Sequence, residues 1–223
     1  VARHLKTAQW IFIGLGVVMV GVFLVARIDR EVGSKSEIEK FEQARREAAA
    51  ATPTAVEMPS ATPEPLSDQL PVDTGLWAQG RIEKYEESLE HDFDVPMAIL
   101  RIPKINLEVA VLEGTDELSL NRAVGRIEGT ATLDTMGNLG IAGHRDGFFR
   151  GLKDVVVGDL MELETLSGNR TFEIDDISIV APSDVHVLAP TETPTITLVT
   201  CYPFYYVGKA PKRYIVRARI QGS

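Results

Sequence analysis

Cysteine is nearly absent from this chain. One occurs in 223 residues, Cys201, so no disulfide can form within the chain. Basic residues are in deficit too: 23 Lys and Arg against 32 Asp and Glu give a formal charge of −9 and a pI near 5.0. That balance argues against nucleic-acid binding, which needs a basic face to displace counterions. Histidine is sparse, with His4, His91, His144 and His186 scattered along the chain. With a single cysteine they give no zinc-type ligand spacing, so no metal and no cofactor are expected. No internal repeat is present. The remainder, 44% hydrophobic, suffices for one globular domain of ordinary size with attachments.

The attachments come first. After a short flank over 1–9, the run from Trp10 to Ala26 carries no charged residue and is apolar all round. At about 1.5 Å per residue such a helix spans roughly 25 Å, the short end for a bilayer core. A core helix would show a polar stripe, and a cleaved signal peptide wants small residues where Leu24 stands. A transmembrane anchor over 10–26 is expected, with Trp10 at the interface. Flanking charges do not orient it, since Arg3 and Lys6 precede it and Arg27, Arg30, Lys35 and Lys40 follow. Residues 27–75 read as attachment. Positions 34–51 have helical character with a thin stripe of Ile38 and Phe41, so a solvated stalk is expected. Positions 52–75 are rich in Pro, Thr, Ser and Ala, a composition that favours an extended linker.

The folded part is expected over 76–223. A short amphipathic helix at 76–90 would bury Trp77, Ile82, Tyr85 and Leu89. Short strands then follow at 97–102, 107–112, 139–142, 160–164, 171–180, 196–200 and 214–220, with helical insertions at 116–123 and 148–152. Seven or eight short strands punctuated by Gly, Pro, Asn and Asp indicate an all-β barrel or sandwich.

Three segments hold chemistry. Gly137 to Asp146 places His144 just past a small-residue strand whose glycines allow another backbone close. Thr195 to Cys201 alternates so that Thr197, Val199 and Cys201 share a face. In Lys212 to Arg219, Arg213, Arg217 and Arg219 oppose Tyr214, Val216 and Ala218. A lone cysteine is most often a small buried hydrophobe. A thiolate near an imidazolium or guanidinium is instead a nucleophile, the histidine can shuttle a proton, and the arginine can hold a developing oxyanion. Periodicity does not choose among the three arginines; surface pairing suits Arg217 and Arg219. His91 reads as a solvated residue and His186 as a partly exposed structural one. Arg145 and Asp146 read as turn residues after His144, Asp146 as a cap. Thr200 and Tyr202 are candidate substrate contacts, and Tyr202, Pro203 and Phe204 a hydrophobic wall.

Gly140 to Asp146, Thr195 to Phe204 and Ala210 to Tyr214 resemble the three signature segments of sortases, most closely the class D branch. The resemblance covers about residues 95–221. It implies an eight-stranded β-barrel with short helices and a catalytic trio of His144, Cys201 and Arg213. It also implies a cytoplasmic N-terminus with the domain on the extracytoplasmic side of a bacterial membrane. The implied reaction is transpeptidation of secreted proteins bearing a C-terminal Leu-Pro-x-Thr-type sorting signal, through a thioester on Cys201. The acceptor would be an amine such as a peptidoglycan cross-bridge or precursor, or a pilin lysine. Loops near 111–122 and 182–194 are expected to line the groove. The rivals are a membrane-tethered thiol hydrolase and a non-catalytic peptide-binding barrel.

Overall fold

The computed structural model describes residues 33–50, 72, 74–133, 135–206 and 208–221. The flank, the expected anchor over 10–26 and the proline-rich stretch 51–71 lie outside them. Among the described residues no helix is long and apolar enough to cross a membrane.

Eight strands close into a barrel: β1 (Ala98–Ile102), β2 (Leu107–Glu113), β3 (Val124–Arg126), β4 (Asn138–Ala142), β5 (Leu160–Thr165), β6 (Gly168–Val180), β7 (Thr195–Tyr202) and β8 (Lys212–Ile220). Around the barrel the order is β1-β2-β3-β4-β7-β8-β6-β5. This decides for the barrel over the sandwich, and closure leaves no sheet edge exposed.

Side chains alternate across each strand, so the register assigns the interior. Leu100 pairs with Val109 and Leu163, Ile141 with Leu198, and Leu198 with Val216. All are buried, and with Ile174, Ile196 and Ala218 they fill the barrel. Burying each large aliphatic stabilises the fold by about 1.5–3 kcal/mol.

The strand absent from the sequence reading is β3. Three residues are too short for a periodic signal, yet β3 closes the barrel, parallel to β2 and antiparallel to β4. Gly125 makes this possible: a Cβ there would lie 2.0 Å from the carbonyl oxygen of Gly114.

Among the described residues three α-helices lie outside the barrel: α1 (Gly33–Ala50), α2 (Gln79–Ser88) and α3 (Glu117–Arg122). The helical reading of α1 is right, but the solvated stalk needs correcting. Ile38 and Phe41 are buried in the core, and Glu37 pairs at 2.9 Å with Arg122, both side chains only 3% exposed. Arg45 and Arg101 both bridge Glu164, tying α1 to β1 and β5. The stripe is thin, but it meets a matching apolar and charged surface that the sequence does not announce. In α2 and the turn before it, Trp77 and Tyr85 meet Phe148 edge-on, with centroids 4.7 and 6.0 Å away. That aromatic cluster seats α2 beside the segment that follows β4.

Candidate active site

Cys201 lies near the end of β7, directly opposite Arg213 of β8. Residues opposed across an antiparallel pair project to the same face. Ile196 and Leu198 point inward, so Cys201 and Arg213 share the outer face. The thiol is partly exposed. On the other flank β4 runs parallel to β7 with Ala142 opposite Val199, and the Gly143 amide extends that ladder to the Val199 carbonyl at 3.2 Å. One residue further, His144 arrives alongside Cys201. The three sequence candidates thus lie at the ends of three adjacent strands, β4, β7 and β8, though tens of residues apart in the chain.

Glycine makes His144's approach possible, but a side chain, not a backbone, fills the space. A Cβ on Gly143 would lie 2.7 Å from Cδ2 of Phe149, a fully buried ring. Gly140 is similarly close to Leu188 and Thr130 side chains. Gly143→Ala is expected to cost about 1–3 kcal/mol through overpacking. It should also displace His144 and cut turnover at least tenfold; thermal melts and steady-state rates on the purified domain check both.

The His144 side chain is 21% exposed, and its Nε2 is buried without a hydrogen-bond partner. Burial pushes its pKa below the ordinary histidine value, as does the nearby Arg81 guanidinium, with Lys84 adding to it; Glu117 and Asp146 oppose them. The Glu117 carboxylate stands 4.0 Å from Nε2. Arg213 donates through Nη1 to the carbonyls of Lys212 at 3.1 Å and Ala210 at 3.5 Å. Arg217 and Arg219 both pair with Asp175, at 3.1 and 2.7 Å, which supports the surface role expected for them. Among the described residues no carboxylate pairs with Arg213.

Thr200 is placed differently from the expectation. Its side chain faces away from Cys201 and is buried, and its hydroxyl donates to the Gly143 carbonyl at 2.7 Å. Thr200 therefore fastens the His144 segment to β7 and has no surface to offer a substrate. Tyr202 stacks on Tyr214 with centroids 6.0 Å apart and meets Phe204 edge-on at 6.1 Å. This is the expected aromatic wall, directly after Cys201 and beginning with a cis Tyr202–Pro203 bond. His91 and His186 are exposed, the latter in a short 3-10 turn at Val185–Leu188.

Arg145 and Asp146 do more than shape a turn. Arg145 donates to the Pro203 carbonyl at 3.0 Å and to those of Tyr206 and Gly208 at 2.8 and 3.2 Å. Arg150 donates to the Phe204 carbonyl and lies 4.6 Å over the Tyr205 ring. Together they bind the β7–β8 loop to the segment carrying His144. The Asp146 carboxylate caps no helix; it accepts from Nε of Arg81 at 3.2 Å. None of these contacts has a sequence signal, because an arginine reaching loop carbonyls leaves no spacing pattern.

The closed eight-stranded barrel with short helices matches the sortase fold. The family model described as Sortase domain matches residues 100–221. The chain belongs to the sortase family, and it is a cysteine transpeptidase. It is 38% identical over 134 residues to Sortase D of Bacillus subtilis (strain 168), covering 60% of this chain and 68% of that protein. Among solved structures it is similar to a Clostridium perfringens Sortase D5 transpeptidase, with 31% identity and a TM-score of 0.53. That match covers 63% of this chain and 89% of the other. It is also similar to a lid mutant of sortase A from Corynebacterium diphtheriae, at 25% identity and a TM-score of 0.55, covering 85% and 95%.

Proposed function

We propose that Cys201, His144 and Arg213 carry the transpeptidation, acting on a Leu-Pro-x-Thr-type sorting signal. The observation that supports this best is the convergence of β4, β7 and β8 on one partly exposed thiol. The thiolate sulfur attacks the threonine carbonyl carbon and an oxyanion forms. As the C–N bond breaks, the leaving amine takes a proton from the His144 imidazolium. The acyl group remains as a thioester on Cys201. An incoming amine then attacks the thioester, gives its proton to neutral His144, and the C–S bond breaks to restore thiolate and imidazolium.

Arg213 supplies fixed positive charge for the oxyanion or the substrate carbonyls. Its guanidinium must turn from the Lys212 and Ala210 carbonyls to do so. Arg213→Lys keeps the charge but loses the planar fork. It is expected to lower kcat/KM about 10²- to 10³-fold, the cost of losing one oxyanion donor, read from peptide cleavage rates.

The substrates would be secreted proteins with C-terminal signals, joined to an amine acceptor such as a peptidoglycan cross-bridge or precursor, or a pilin lysine. Residues 10–26 would anchor the enzyme as a single span with the barrel outside the bacterial membrane. Mass spectrometry of residues 33–223 with Leu-Pro-x-Thr peptides tests the reaction. An acyl adduct on Cys201 that passes to added amine is the expected result. Hydrolysis undiminished by saturating amine would mean a thiol hydrolase, and intact peptide bound without an adduct would mean a binding module.

A further inference from the structure

His144 has two ring nitrogens, and only one can serve the thiol and the amine in turn. The other, Nε2, is buried with no hydrogen-bond partner. Its nearest carboxylate is Glu117 at 4.0 Å, just beyond hydrogen-bonding distance. We propose that Glu117 is a positioning residue for His144, accepting the Nε2 proton so that Nδ1 faces the chemistry. The inference rests on the reading of His144 as the proton shuttle given above.

The surroundings of Glu117 suit this part. It opens α3 directly after Asp116, whose carboxylate accepts from the amides of Leu118 and Ser119 and from the Ser119 hydroxyl. Lys84 of α2 donates to Glu117 Oε1 at 3.0 Å, and Arg81 Nη1 lies 3.9 Å from the same oxygen. Oε2 is the oxygen directed at the imidazole. The carboxylate is thus held from one side and offered to His144 from the other. Its side chain is 61% exposed, so a small rotation that shortens 4.0 Å to a hydrogen bond meets little packing resistance.

Such a contact does two things. It fixes the neutral tautomer with the proton on Nε2, leaving the Nδ1 lone pair free to accept a proton from the thiol or the amine. It also favours the imidazolium, which burial, Arg81 and Lys84 disfavour; Asp146 on the histidine's own loop acts in the same direction as Glu117. The neighbouring strands β7 and β8 carry Cys201 and Arg213 to the same end of the barrel.

Glu117→Gln tests this, because it keeps the size and the Lys84 contact while removing the charge. The active form pairs thiolate with imidazolium. On the acid limb its population depends on the thiol alone, and only above the His144 titration does it depend on the imidazole. The variant should therefore match wild type at acid pH and fall below it, by about two- to fivefold, near neutral pH. NMR titration of His144 should move to lower pH in the variant. Glu117→Asp should recover part of both. An equal loss at every pH, or an unmoved His144 titration, would overturn the proposal. The titration does not depend on turnover, so a wild-type enzyme that fails to transfer acyl groups would count against the catalytic reading and leave this one separately tested.

Discussion

Cys201→Ala is expected to abolish acyl transfer while leaving the barrel intact. The two halves of that statement have separate causes. Alanine offers no nucleophile, and an oxyanion site without one leaves only weak residual catalysis. The thiol sits on the outer face and is partly exposed, so its removal opens no cavity inside the barrel. The melting temperature should hold to within about 0.5 kcal/mol of equivalent stability, the range for substitutions away from core features. The comparison requires circular dichroism melts and an amine-transfer assay on the same preparations. Because it is the chain's sole cysteine, a thiol reagent should label wild type once and the variant not at all. Transfer at more than about one part in a thousand of the wild-type rate would mean that another group is the nucleophile.

The sequence made the barrel strands legible wherever a short apolar or alternating run stood between turn residues. Seven strands were readable within a few residues of their ends, among them β2 and β4, whose residues are mostly buried on both faces. Val124–Arg126 escaped because its only distinguishing requirement is Gly125's contact with Gly114, set by a backbone distant in space. Helix α1 shows the complementary limit. Its sequence gives its helicity, but whether Ile38 and Phe41 meet solvent or a core depends on a surface made by β1, β2 and Arg122.

The site divides along the same line. Cys201, His144 and Arg213 stand out as candidates because each lies in a short motif tied to local backbone: a strand end, a glycine-permitted turn, an alternating strand. Thr200 was misread because motif position cannot tell which face a strand residue takes relative to a groove until the neighbouring strands are placed. The charged groups that act on His144, namely Glu117, Arg81 and Asp146, come from a helix, another helix and a loop. Their cooperation is a product of tertiary packing, and only their presence in the expected groove loop near 111–122 hinted at one of them. Arg145 and Arg150 likewise act through backbone carbonyls of the β7–β8 loop, acceptors that every residue possesses and no pattern marks.

His144→Ala is expected to remove nearly all transfer activity, by about 10³-fold or more, since the proposed general acid and base functions are lost together. Its effect on stability should shrink on the acid side. Burial and Arg81 hold the folded pKa of His144 below its unfolded value of about 6.5. As pH falls through that value the unfolded chain takes up the proton first, so wild type loses stability there. The loss continues until the pH passes below the folded pKa. Alanine has no proton to take up. The variant, destabilised at pH 8 by the loss of a largely buried ring, should narrow its deficit as the pH is lowered from 8 to 5. Melts across that range measure the gap. A gap that widens with acid would show that folding raises the pKa of His144 above its unfolded value, the reverse of the direction that burial and Arg81 impose.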